Sequence, residues 1–186
     1  VQDTNSCFYL YQITMGNHTQ TGIMAAVSIE EYNQGLIKKH EFTRPEKEDD
    51  RTRHIDITNA NTGPVFLTYR NDGKLKNVIL EILNSHPDIS FTADDATFHA
   101  LWKVENKIQI ERLIDYFQVI PALYIADGHH RAASAARVQK IREEANPNHS
   151  GYEPYNYFLS VIFPHDEMQI LDYNRVAKDL NGLTEE

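Results

Sequence analysis

The segment Pro121–Arg137, PALYIADGHHRAASAAR, gathers the reactive side chains of this chain most densely. A short, mostly apolar run, Ala122 to Ala126, ends in Asp127, Gly128, His129, His130 and Arg131, and an alanine-rich segment follows. That order reads as a strand, a tight glycine turn and a helix. The start of a helix directs unpaired N–H groups and the positive end of the peptide dipole at one spot, which suits phosphate or another small anion. Gly128 permits a positive φ or a close approach of backbone to ligand. Arg131 can add a bidentate contact to phosphate oxygens. His129 and His130 can donate hydrogen bonds or move protons near neutral pH. Asp127, at the end of the strand, can hold a metal ion, orient a histidine or bind a substrate hydroxyl. A simple helix cap also uses Asp and Gly, but it does not call for two histidines and an arginine as well.

A second polar cluster, KKHEFTRPEKEDDR at Lys38–Arg51, holds His40, Glu41, Thr43, Arg44, Lys47 and Arg51. Much of it reads as a solvated helix face. Pro45 suits the first turn of that helix, with Glu46, Glu48, Asp49 and Asp50 near the positive end of its dipole. Glu41 lies between a turn and this helix, a place that suits a loop over a pocket. A carboxylate beside a bound phosphate can deprotonate an attacking hydroxyl, and Thr43, Arg44 and Arg51 can support the charge around it. Adjacent histidines point in different directions on a helix, so His129 and His130 make a poor chelating pair. A zinc site would need a further ligand such as His40 or His99.

The elements that must carry these residues can be read from period and punctuation. CFYLYQIT (Cys7–Thr14) and TGIMAAVSI (Thr21–Ile29) read as a hairpin joined by the polar turn MGNHTQ. Ser28 with Glu30 and Glu31 predicts a short capped helix ending near Gly35. PVFLTY (Pro64–Tyr69) reads as a buried strand, and Asp72-Gly73 as a turn. Leu75, Val78, Ile79, Ile82 and Leu83 recur at helical spacing, which predicts a helix over Lys74–Asn84. DISFTADDATFHALWKVE reads as a hairpin around Asp94-Asp95. Ile108, Leu113, Ile114 and Phe117 predict the next helix, closed by Pro121. ALYIA reads as a strand and Ala132–Glu144 as a helix ended near Pro147, followed by the loop NPNHSGYEP. YNYFLSVIF (Tyr155–Phe163) and MQILDY (Met168–Tyr173) read as the last strands. The sum is an α+β, or mixed α/β, domain without internal repeats.

The totals narrow the function. In 186 residues, 41% are hydrophobic and 24% charged, the balance of a folded globular protein. The formal net charge of −9 repels a phosphate backbone, so nucleic acid is not an expected partner and any bound anion should be small. Cys7 is the only cysteine, which excludes an intrachain disulfide and a cysteine-based zinc site and agrees with a reducing compartment. No apolar run approaches the roughly 20 residues of a membrane span, no secretory pattern opens the chain, and a cytoplasmic location is expected. The chain begins at Val1 and stops amid NGLTEE, so it is read as one domain, residues 1–186, within a longer protein.

YIADGHHRAASAA resembles the signature of a widespread bacterial and archaeal family of domains of unknown function, whose usual form is Ile-Ala-Asp-Gly-His-His-Arg-Tyr. IKKHEFTRPEKEDDR is similar to that family's His-Glu-x-Thr segment and following arginine, and GPVFLTY, FHALWKVEN and MQILDYNRV extend the resemblance over most of the chain. Ala132 stands where the family usually has Tyr, and Asn174-Arg175 where it often has His-Arg. The same Asp-Gly-His-His-Arg motif occurs in free-serine kinases of the ParB/sulfiredoxin superfamily. The related sulfiredoxin loop carries a cysteine that this one lacks, which sets sulfinate reduction aside.

This resemblance implies a ParB/sulfiredoxin-like mixed sheet with flanking helices and a phosphate loop between strand and helix. It implies Glu41 as general base and Gly128, His129, His130 and Arg131 as the nucleotide-phosphate loop. Asp127 and His129 would assist catalysis, Asp127 also through magnesium. Thr43, Arg44, Arg51 and Arg175 would support charge or substrate. The expected function is a small-molecule phosphotransferase, a kinase acting on free L-serine or a related hydroxyl compound, with ATP, ADP or pyrophosphate as donor and magnesium as cofactor. The alternative is a ParB-type nucleotide-binding module without kinase activity.

Overall fold

The computed structural model describes residues 3–172, 174–179 and 181–182. Eight strands form one mixed sheet: β1 (Phe8–Met15), β2 (His18–Ser28), β3 (Ile37–Lys38), β4 (Val65–Tyr69), β5 (Ile89–Thr92), β6 (Phe98–Val104), β7 (Leu123–Asp127) and β8 (Tyr157–Pro164). Five α-helices accompany them: α1 (Ile29–Asn33), α2 (Pro45–Thr58), α3 (Lys76–Leu83), α4 (Lys107–Gln118) and α5 (His129–Ala145). The strand order is β3-β7-β4-β8-β2-β1-β6-β5. The β3–β7 and β4–β8 pairs are parallel and the other five antiparallel.

Register explains the core. Residues opposite one another share a face of the pleat. One row runs across six strands as Trp102–Leu10–Ile23–Ile162–Leu67–Ile125. Every member is buried and belongs to one cluster, which also takes in Val78 of α3, Leu113 and Tyr116 of α4, and Ala132 and Ala135 of α5. On the other face, Gly22 stands opposite Tyr11. A Cβ there would lie 2.8 Å from Val161 Cγ1 and 2.9 Å from Phe163 Cδ1. The missing side chain makes room for the Phe163 ring, which packs edge-on to Tyr11 and Phe66.

The hairpin turn is tighter than the sequence suggests. Met15 pairs with His18, leaving only Gly16 and Asn17 to turn, and Gly16 takes φ +60. A two-residue turn with positive φ first matches the twist of the flanking strands, so both strands extend into the polar residues. Ser28 caps α1 as its spacing predicts, accepting from the Glu31 N–H. The predicted strand Met168–Tyr173 is corrected. Residues 168–172 form no strand, Ile170 is 95% exposed, and Tyr173 lies outside the described residues. Alternating apolar side chains form a strand only against a partner edge, and β8 is already flanked by β4 and β2.

Two arrangements position the polar clusters. The α2 and α5 helices pack together, with the buried Ser134 hydroxyl donating to the Glu48 carbonyl and Arg137 pairing with Asp49 at 2.7 Å. Strand β7 lies between β3 and β4. The segment leaving β3 toward α2 and the turn leaving β7 toward α5 therefore emerge side by side.

Candidate functional site

Helix α5 begins at His129, three residues before the predicted start, with Gly128 as its N-cap at φ +99. No side chain caps this end. The N–H groups of the first turn are thus left without a side-chain acceptor, in the geometry that binds anions. Glycine is favoured for two reasons. The backbone angle is left-handed, and a Cβ would lie 3.0 Å from Arg131 Nε. Arg131 also passes close to Gly63, where a Cβ would stand 3.4 Å from Nη1. The guanidinium thus lies along two backbones bare of side chains, and it pairs with Asp127.

The loop between β3 and α2 is tied to that first turn. The His40 N–H donates to His129 Nε2 at 3.4 Å, across 89 positions of sequence, and the Arg44 N–H donates to His130 Nε2 at 3.0 Å. The His40 and His129 rings meet edge to face with centroids 4.4 Å apart. Glu41 Oε2 lies 3.5 Å from His129 Nδ1. The His129 side chain is only 3% exposed, whereas that of Glu41 is 60% exposed. Burial, reinforced by His40, pushes the His129 ring below the usual histidine range despite the opposing pull of Glu41 and Asp127. At neutral pH the ring is therefore uncharged, and its contact with Glu41 is a polar one rather than an ion pair.

Glu41, His129 and His130 line an open, polar cavity of about 460 Å³. Its wall holds Glu41 and Arg51, the whole run Asp127–Arg131, and also Asp50, His54 and Asn61–Gly63. The wall thus carries three carboxylates, Glu41, Asp50 and Asp127, and two guanidinium groups, Arg51 and Arg131. Of the residues expected from sequence, Glu41, Arg51, Asp127, Gly128, His129, His130 and Arg131 come together here. Thr43 and Arg44 do not form its wall; Arg44 acts through its backbone N–H as the N-cap residue of α2. Arg175 is exposed in the irregular segment after β8 and does not belong to the wall. His99 stands on β6, hydrogen-bonded to Tyr11 at 2.6 Å and stacked on Phe91.

Sequence reasoning missed Asp50, His54 and Asn61–Gly63. Asp50 and His54 are four positions apart on α2, hence on one face, a spacing that could have been read. Asn61–Gly63 carries no comparable signal. It arrives because β4 runs antiparallel to β7 with Phe66 opposite Asp127, so the turn before β4 meets the end of β7.

Comparison with known proteins bears on the whole chain. Residues 1–186 match the family described as "Protein of unknown function (DUF1015)", and the chain belongs to that family. No curated protein and no solved structure matches it.

Proposed function

We propose that this DUF1015 member is a small-molecule phosphotransferase, a nucleotide-dependent kinase acting on free L-serine or a related hydroxyl compound, on a ParB/sulfiredoxin-like mixed sheet. One observation carries the reading. Glu41 faces the same cavity as an uncapped helix start whose glycine turn and arginine suit a phosphate chain. In the proposed step, the acceptor hydroxyl gives its proton to Glu41 while its oxygen bonds to the terminal phosphorus of the donor. The bond from that phosphorus to the bridging oxygen breaks, and the leaving ADP keeps the electron pair; with ADP or pyrophosphate as donor, AMP or phosphate leaves. The N–H groups of residues 129–131 and the Arg131 guanidinium oppose the charge spread over the transferring oxygens. The buried His129, 3.5 Å from Glu41 and accepting from the His40 N–H, anchors the Glu41 side of the cavity. Asp127 and Asp50, both on the cavity wall, would supply hard oxygen ligands of the kind magnesium takes, and the ion would neutralise phosphate charge. A cytoplasmic setting, with ATP, ADP or pyrophosphate as donor and no nucleic-acid partner, completes the reading.

Calorimetry of ATP, ADP and pyrophosphate with magnesium tests the phosphate loop. Micromolar binding, about 8 kcal/mol, should be lost in Arg131→Ala. Glu41→Gln should abolish transfer to L-serine while nucleotide affinity stays within about twofold. Equal loss of both in Glu41→Gln would remove the base role. Tight nucleotide binding with no transfer to any small hydroxyl acceptor would leave the ParB-type nucleotide module in its place.

A further inference from the structure

We propose that His40, Glu41 and His129 form a binding site for one divalent transition-metal ion of the zinc type. Each offers one ligand atom, and these atoms lie within 4.8 Å of one another. Two imidazoles and one carboxylate are a donor set that zinc accepts in sites with an open fourth position. In a tetrahedron with metal–ligand bonds of about 2.0–2.1 Å, neighbouring ligand atoms stand about 3.3 Å apart. The His129 Nδ1 to Glu41 Oε2 separation, 3.5 Å, already matches that edge. His40 is exposed and free to turn its ring the remaining distance. His129 is held almost fully buried in the first turn of α5, so one ligand is fixed and the other two close on it. Metal on Nδ1 puts the ring proton on Nε2, so the 3.4 Å contact from the His40 N–H must open as His40 turns toward the ion.

The site goes beyond the phosphotransfer reading and, where that reading holds, regulates it. A metal ion here takes the Glu41 carboxylate as ligand and withdraws it from proton transfer. This second part rests on the base role proposed above; the metal site itself does not. The ion belongs to a different class from magnesium, which keeps oxygen ligands and several waters.

The test is a titration of the nucleotide-free chain with Zn²⁺ by calorimetry and with Co²⁺ by visible absorption. One tight equivalent with intense tetrahedral-type Co²⁺ bands is expected. His40→Ala, an exposed position whose folding is checked by thermal unfolding, should weaken the ion at least tenfold, and Glu41→Gln likewise. Arg131→Ala should leave metal binding unchanged, and His40→Ala should leave ATP binding unchanged. No binding, or equal binding by wild type and His40→Ala, overturns the site and leaves the phosphotransfer reading standing. Metal binding without any nucleotide binding overturns that reading alone.

Discussion

Replacing Gly128 by alanine tests the turn on which the site depends. The perturbation has two parts that the structure separates. At φ +99 an L-residue is held in left-handed space, and this is worth about 1–2 kcal/mol for a residue with a Cβ. The new methyl would also stand 3.0 Å from Arg131 Nε and 3.2 Å from Nη2, so the guanidinium must shift. In a domain of this size, about 2–4 °C of melting temperature accompanies each kcal/mol. Gly128→Ala should thus melt about 2–8 °C below wild type. It should also bind magnesium pyrophosphate more weakly, because Arg131 has moved. Gly63→Ala is the matched control. Its Cβ reaches 3.4 Å from the same guanidinium without a left-handed backbone, so its stability should stay within about 0.5 kcal/mol of wild type. Gly128→Asn supplies the third arm, since asparagine tolerates left-handed angles yet still carries a Cβ. It should recover much of the stability and little of the ligand affinity. Thermal unfolding followed by circular dichroism, with and without ligand, reads all three. A Gly128→Ala protein as stable as Gly63→Ala would refute the claim that this turn favours glycine.

Other perturbations probe the framework. Gly22→Ala should destabilise the fold by about 1–3 kcal/mol in denaturant titration, because the added methyl meets Val161 and Phe163 at 2.8–3.0 Å in a packed aromatic patch. A smaller loss than that of an exposed control would show that Phe163 has room to turn. Glu167 is raised above the usual carboxylate range by burial, although its Oε2 accepts from the Thr21 N–H at 2.6 Å. A raised folded pKa contributes stability below the unfolded value near 4.5, and that contribution is lost as pH rises through the folded value. Glu167→Gln cannot ionise, so its melting temperature relative to wild type should climb between about pH 4 and pH 7. A gap independent of pH would reject this assignment. The losses expected of Glu41→Gln in transfer and of His40→Ala in metal binding complete the set.

Much of the framework was legible because its signals are local. Val65–Tyr69 alternates between buried and half-buried positions, Leu113 and Phe117 recur at helical spacing against the core, and Ser28 with Glu31 spells its own cap. The chemistry of Asp127–Arg131 and Glu41 was legible as residue types, whereas their meeting was expected from the family resemblance and not from any local signal. It depends on Ile37–Lys38, two residues that pair in parallel with β7 and carry no periodicity of their own. The polar character of His129–Arg131 also masked the helix start, since these residues read as turn while Gly128 alone makes the turn. Met168–Ile170 shows the opposite failure, an alternating pattern that finds no partner among the described residues.

The far end of the sheet bears on how copies of this chain behave toward one another. Among the described residues, strand β5 pairs with β6 alone and closes the strand order, and Ile89, Ser90, Phe91 and Thr92 are all exposed. Such an edge is a template for strand addition by a second chain, and two bulky apolar side chains make it adhesive. Asp88 precedes it, Asp94 and Asp95 follow it, and a second identical edge arriving antiparallel would bring the same acids with it. Mutual repulsion therefore guards this exposed end of the sheet. Colloidal stability at this edge depends on charge, so high salt and acid are the conditions under which molecules of this protein would begin to join edge to edge.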